Sequence, residues 1–362
     1  MAAASDDEET IPHPRKREIL LGHEAAEKTL LDAFASGRLP HAWLISGPRG
    51  IGKATLAYRF ARFLLAGGGE GGLFGAPQDL AVPAQSPVFR RVAMQSHADL
   101  RTVERVVNEK GKLRSEIVVD GVRDLSSFLR LTPGEGGWRI AIVDAADEMN
   151  RNAANALLKI LEEPPDRAVL LVVSHAPGRL LPTIRSRCRK LPLQPLAEDQ
   201  VLQILRELVP DLGPDEQLAL ARLSGGSPGR ALELAAAGSI DLFRAVSGIL
   251  GSLPKLDLGK LHTLADRMAR PGADGDFRTL GFVLGWWLET MVRSGARGEG
   301  AVEILPGDAA IRAKLEAAAS LDRWVDVWEK IGQLFARADA VNLDRKQVVL
   351  GSFLALEAAA RL

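Results

Sequence analysis

Hydrophobic and polar positions divide the chain into two regimes. Between residues 19 and 195, short apolar runs alternate with stretches of helical period. Residues 22–35 repeat apolar positions at helical spacing. Ala42-Trp43-Leu44-Ile45-Ser46 is an apolar run that ends at a glycine loop, the pattern of a buried parallel strand. Residues 55–65 continue as a helix. Ile117-Val118-Val119 is short and β-branched, which predicts a strand, and a helix is expected over 122–131. Pro133-Gly134-Glu135-Gly136-Gly137 reads as a turn. Residues 139–143 and 169–174 are two further buried strands. Between them lies a helix over 153–161, stopped by Pro164 and Pro165. Strands alternating with helices imply a parallel sheet with right-handed crossovers.

After Pro195 the strand signals vanish. Residues 198–208, 214–223 and 227–237 read as helices. From residue 239 nearly everything is helical, with breaks near Pro254, Pro271 and Pro306. The expected fold class is therefore α/β plus all-α. The expected divisions are a disordered tail over 1–18, an α/β domain over 19–196, a small helical domain over 197–240 and a larger helical domain over 241–362. The glycine-rich stretch 67–75 is expected to be a mobile loop, and the region from there to residue 95 an irregular insertion. No internal repeat is evident.

Composition narrows the function classes. The 46 basic and 46 acidic side chains cancel, which argues against coating nucleic acid through overall charge. Cys188 is the single cysteine, so neither an intrachain disulfide nor a Cys-based zinc site can form. That composition suits a reducing cytoplasm. No run approaches the roughly 18 apolar residues that span a bilayer. The first residues are acidic and then basic, without the apolar segment of a secretory signal. The histidines are scattered, with no metal-ligand spacing.

The chemistry concentrates in two segments. Gly47-Pro48-Arg49-Gly50-Ile51-Gly52-Lys53-Ala54-Thr55 has the spacing of a phosphate-binding P-loop. In such a loop, backbone N–H groups and a helix N-terminus bind phosphate oxygens, and glycines allow the close approach. Gly47, Gly50, Gly52, Lys53 and Thr55, with Asp144 and Arg230 further along the chain, are the candidate nucleotide-binding residues. Ala54 stands where a Ser or Thr would hold Mg²⁺. Thr55 carries a hydroxyl, but one residue further round a helix it points roughly 100° away. Downstream, Trp138-Arg139-Ile140-Ala141-Ile142-Val143-Asp144-Ala145 looks like a strand ending in a metal-directing Asp144. Ala145 has no polar atom with which to orient an attacking water. Asp147 and Glu148 are expected to cap the next helix. A glycine turn that binds nothing stays open as the alternative reading of the loop.

Ser186-Arg187-Cys188 closes the α/β region. Arg187 reads either as a surface residue or as an arginine finger reaching a neighbouring subunit's phosphate. Cys188 is expected to be a small buried hydrophobe. Trp286, Trp287, Trp324 and Trp328 are expected to anchor a core or subunit interface.

With these motifs in place, the chain resembles the delta prime family of bacterial DNA polymerase III clamp-loader subunits, within the AAA+ superfamily. The resemblance rests on Gly37-Arg38-Leu39-Pro40-His41-Ala42, the 47–55 loop, the run from Asn152 through Asn155-Ala156-Leu157-Leu158-Lys159-Ile160-Leu161-Glu162-Glu163 to Pro164-Pro165, and Ser186-Arg187-Cys188. It is strong over 20–196. It continues more weakly to Asn342-Leu343-Asp344-Arg345-Lys346, similar to the family's last collar segment.

The resemblance implies an AAA+ P-loop domain, a helical lid and a C-terminal helical collar. It implies a hetero-pentamer with delta and tau/gamma that loads the sliding clamp on primed DNA, with no membrane role. Arg187 would be the finger acting in trans, Ser174 or His175 the sensor-1 residue, and Arg230 the sensor-2 residue. It also implies no intrinsic ATPase or polymerase activity, in agreement with Ala54 and Ala145. ATP or ADP with Mg²⁺, bound without turnover, is the expected optional ligand. The family's four-Cys zinc module is not implied, because residues 67–99 contain no Cys. The competing readings are an active tau/gamma-type ATPase and a P-loop kinase.

Overall fold

The computed structural model describes residues 12–68, 78–108, 113–135, 137–298, 303–341 and 343–361. Most of the predicted tail and nearly all of the predicted mobile glycine loop lie outside these residues, as does Asn342. The chain divides into two compact units, Met1–Val201 with Gly226–Gly229, and Leu202–Gly225 with Arg230–Leu362.

The first unit is built on a five-stranded parallel sheet. Its strands are β1 (Ala42–Ser46), β2 (Leu100–Val103), β3 (Arg139–Val143), β4 (Ala168–Ser174) and β5 (Arg189–Pro192), in the order β2-β3-β4-β1-β5. Strands β3 and β4 are buried along their length, and β1 up to Ser46, as continuous apolar runs require. Registers run Ala42 opposite Leu170 to Ser46 opposite Ser174, and Trp43 opposite Arg189 to Ser46 opposite Pro192.

The connecting helices are α1 (Glu24–Ala35), α2 (Lys53–Leu65), α3 (Pro87–Ala93), α4 (Val119–Leu129), α5 (Arg151–Glu162) and α6 (Pro182–Arg187). Helix α5 shows why these residues fold as they do. Asn150 caps it by accepting from Ala153 N–H at 2.9 Å. Ala153, Ala154, Leu157, Ile160 and Leu161 recur on one face and are buried. That face joins a core with Leu44, Val143, Val172, Ile184 and Cys188.

Helix α2 is buried on nearly every side, including Arg59 and Arg62. These two guanidiniums fasten the chain before α1. Arg59 pairs with Glu27 and donates to the Glu18 carbonyl. Arg62 donates to the carbonyls of Arg15 (2.9 Å) and Arg17 (2.7 Å) and lies 4.4 Å over the Phe89 ring.

Several expectations are corrected. Residues 12–18, assigned to a disordered tail, are half-buried or fastened, with a 3-10 turn over Pro14–Lys16. Ile117-Val118-Val119 is not a strand. Ile117 makes one bridge to Met149, and Val119 already begins α4. Four apolar side chains of α4 must face the core, and that demand overrides β-branched propensity. The sheet edge is taken instead by Leu100-Arg101-Thr102-Val103, whose polar positions hid it. β5 was hidden likewise, because of its four residues only Leu191 is buried. Within the stretch read as irregular, Ser86 caps α3 by accepting from Phe89 N–H at 3.1 Å.

Helix α7 (Glu198–Leu208) spans the division between units. The second unit continues with α8 (Pro214–Leu223), α9 (Pro228–Ala236), α10 (Ser239–Leu250), α11 (Leu258–Met268), α12 (Asp274–Arg297), α13 (Asp308–Ala318), α14 (Leu321–Val341) and α15 (Arg345–Ala360). Within it α12 packs on α10 and α14, and α15 on α11 and α14. Trp287 and Trp324 are core residues, and Trp324 donates to the Leu315 carbonyl at 3.1 Å. Among the described residues no helix is long and apolar enough to cross a membrane.

Leu157 is fully buried between α5 and the sheet. Leu157→Ala should lower the first unit's stability by about 2–5 kcal/mol. Urea unfolding followed by circular dichroism would measure it.

Candidate functional site

The 47–52 loop leaves the carboxyl end of β1, an interior strand, and turns directly into α2. Carboxyl ends of parallel strands are where ligands bind in such sheets. Gly47, Gly50 and Gly52 have φ of 147°, 78° and 105°, a region that favours glycine. A Cβ on Gly47 would meet the Leu193 carbonyl oxygen at 2.5 Å.

Every carbonyl from residue 47 to 51 has a partner. The Lys53 ammonium donates to Gly47 at 2.7 Å and also to Pro48. Ser227 Oγ donates to the Arg49 carbonyl at 2.8 Å, and the Gly229 N–H to Gly50 at 2.8 Å. His23 Nε2 donates to Ile51 at 2.6 Å. Gly229 can be only glycine here, since a Cβ would lie 2.9 Å from Gly50 Cα. Sequence reasoning missed His23, Ser227 and Gly229 as loop supports. Ser227 and Gly229 lie just before Arg230 in the sequence, but nothing along the chain ties that segment to residues 49 and 50.

The structure brings Lys53, Asp144, Asp147, Ser174 and His175 together. Gly47 N–H donates to the Ser174 carbonyl at 3.3 Å, joining the loop to the end of β4. Burial lowers the Lys53 ammonium to about 8, although the carboxylates of Asp144 and Asp147 favour its charge. Burial and the neighbouring Glu104 raise Asp144 to about 6, against the pull of Lys53. Burial lowers His175 to about 4, helped by Lys53, so the imidazole is neutral at pH 7. Burial works against the Asp147 charge. The His175 N–H bond at 2.7 Å opposes that penalty, and the carboxyl stays below its ordinary value.

Asp147 and Glu148 do not cap α5 as expected. Asn150 does, because a 3-10 turn over Ala146–Glu148 intervenes. That turn directs Asp147 to His175 and Glu148 to Arg105, at 2.7 Å.

This donor set fits a phosphate through Lys53 and the N-terminus of α2. It does not fit Mg²⁺ held in the usual way. Ala54 offers a methyl group where a hydroxyl is needed, and buried Ala145 offers nothing to a water. Thr55 is half-buried on the first turn of α2, one residue beyond the metal-facing position. Among the described residues no cluster of His, Cys, Asp or Glu could hold a metal ion.

Arg187 is placed elsewhere. It ends α6 immediately before β5, at the amino edge of the sheet. Arg189 pairs with Trp43, whereas the phosphate loop follows Ser46, paired with Pro192. At about 3.3 Å per residue, roughly 10 Å of strand separates the start of β5 from the loop, and Arg187 lies further back still. Its guanidinium meets Glu162 at 3.0 Å and the Thr183 carbonyl at 3.2 Å. Arg230 belongs to the second unit, with its guanidinium 5.2 Å from the centre of the Phe282 ring. Cys188 is buried, and burial pushes its thiol to about 12.

Comparison with known proteins adds a family. Residues 22–197 match the family described as DNA polymerase III, delta subunit. The chain is 40% identical over 190 residues to DNA polymerase III subunit delta prime of Pseudomonas aeruginosa, covering 52% of this chain and 53% of that one. It is 35% identical over 205 residues to the Escherichia coli subunit of the same name, covering 57% of each. The chain thus spans about half the length of these curated relatives. A DNA polymerase III gamma subunit-related protein of Thermotoga maritima aligns at 18% identity and a TM-score of 0.42, over 92% of this chain and 100% of that one. The parallel sheet, with the glycine loop after an interior strand and helices between the strands, is the α/β arrangement that the resemblance implied.

The shifted pair sets a pH signature. Unfolded, Asp144 loses its proton near 3.8; folded, near 6. The folded state holds more protons between these values, so stability falls as pH rises through that window. Lys53 titrates near 10.5 unfolded and about 8 folded, so its contribution makes stability rise between pH 8 and 10.5. Asp144→Asn should remove a fall on the order of 2 kcal/mol between pH 4 and 6. Denaturant midpoints across that range would check it.

Proposed function

We propose that this chain, whose residues 22–197 match the DNA polymerase III delta-subunit family, is a clamp-loader subunit that does not itself turn over ATP. It assembles with delta and tau/gamma subunits into a hetero-pentamer in the cytoplasm. The assembly places the sliding clamp on primed DNA during replication, and DNA is met through the complex. Residues 197–240 serve as the lid and 241–362 as the collar through which the subunits associate. Polymerase chemistry belongs to the holoenzyme.

One observation carries this reading: the phosphate loop and Arg187 lie at opposite edges of one sheet. An arginine there cannot serve its own chain's loop. It can serve a phosphate presented by a neighbour, which is what an arginine finger does. The chain's own loop supports the same division of labour. Ala54 and Ala145 lack the atoms for metal binding and water activation, while Lys53 retains the charge for static binding of ATP or ADP. Asp144 would be the remaining carboxylate near any accompanying Mg²⁺. Ser174 or His175 would take the sensor-1 position and Arg230 the sensor-2 position. No zinc is required.

The purified chain should be silent in ATP hydrolysis, and activity should appear when tau/gamma, delta, clamp and primed DNA are added. Arg187→Ala should leave assembly intact by size-exclusion chromatography and slow the stimulated ATPase by about ten-fold, below the 10³–10⁵ of a finger that dominates its site. Unchanged activity would remove the finger. Robust turnover by the chain alone, lost in Lys53→Ala, would instead make it a motor of the tau/gamma type.

Equilibrium dialysis with labelled ADP and ATP should show binding at millimolar nucleotide or below. Lys53→Ala should weaken it at least ten-fold. No binding by the unaltered chain would leave the loop a structural turn.

A further inference from the structure

Helix α5 ends on two carboxylates, Glu162 and Glu163, immediately before Pro164 and Pro165. The carboxyl end of a helix carries partial negative charge, so acidic side chains are disfavoured there unless a cation answers them. Two cations do so. Arg130 meets Glu163 loosely, at 3.7 Å, and Arg187 meets Glu162 closely, at 3.0 Å.

The closer pair has a defined geometry. Arg187 Nη2 forms an ion pair with Glu162 Oε1, and Nη1 donates to the Thr183 carbonyl. Both terminal nitrogens of the guanidinium thereby have a partner, one by charge and one by a hydrogen bond. The backbones on both sides are fixed as well. Ile184 and Cys188, flanking Arg187, are buried in the same core as Leu157, Ile160 and Leu161 of α5. The side chains themselves are open to another molecule, 37% exposed for Arg187 and 50% for Glu162.

From this arrangement we infer that Glu162 is the positioning residue for Arg187, holding the guanidinium in place at the sheet's amino edge before a neighbour's phosphate arrives. The inference rests on the reading of Arg187 as a finger acting in trans. A free arginine side chain must be ordered when it meets phosphate, which costs rotamer entropy. Glu162 and the Thr183 carbonyl impose much of that order beforehand. Because the pair is exposed, it is weak enough to give way or share the guanidinium when phosphate approaches. No bond other than hydrogen bonds changes, and Glu162 never touches nucleotide.

The test measures ATPase in the complete mixture of this chain with tau/gamma, delta, clamp and primed DNA, and separates kcat from the KM for ATP. Glu162→Ala should lower kcat by about three- to five-fold with KM unchanged, since an exposed pair is worth only that much. Glu162→Gln keeps an acceptor oxygen and should recover most of the loss. In an Arg187→Ala background Glu162→Ala should have no further effect.

A kcat that is unchanged or higher in Glu162→Ala overturns the inference. So does an equal loss on the Arg187→Ala background, which would mark a merely structural role. Loss of kcat in Arg187→Ala with none in Glu162→Ala would leave the finger standing and remove only its positioning. No loss in either would remove both.

Discussion

Parallel pairing of β1 with β4 on one side and β5 on the other decides where every functional group of the first unit falls. The register sets Ser46 beside Ser174 and Pro192, so the phosphate loop, the end of β4 and the turn after β3 meet at one edge. The same register sets Trp43 beside Arg189 and leaves Arg187 at the opposite edge. A slip of one residue would turn each strand's side chains to the other face of the sheet and break the core that seats α5 and α6. The geometry that separates the loop from Arg187 and the packing that stabilises the unit are thus one constraint.

Within that frame the loop is supported from three directions. Lys53 bonds back to the loop's first carbonyls, His23 reaches it from the start of α1, and Ser227 with Gly229 reaches it from a segment far along the chain. These bonds hold glycines at φ values that favour glycine and leave the N-terminus of α2 aimed at the edge. The chemical losses at Ala54 and Ala145 sit inside a scaffold that is otherwise intact.

Electrostatics follow the same division. Around the loop, burial dominates, drawing Lys53 down and Asp144 up so that each carries its charge at a cost. At the other edge Arg187 and Glu162 are exposed and pair at low cost.

Much of this was legible in the chain. The apolar runs at 42–46, 139–143 and 169–174 marked the interior strands because a strand buried on both faces needs continuous apolar side chains. The P-loop spacing marked the turn because few other residues tolerate its backbone. The alanines at 54 and 145 marked the missing chemistry because no neighbour can lend a methyl group an oxygen. Tertiary structure alone decided the rest. Edge strands such as Leu100–Val103 and Arg189–Pro192 are exposed on at least one face, so their apolar signal is weak. Val119 joined a helix because four residues further on needed a buried face. Glu162 and Arg187 are 25 positions apart, and Ser227 and Arg49 are 178 apart. Partners so distant in sequence are chosen by which strands pair and which helices pack, and local propensity holds no record of that choice.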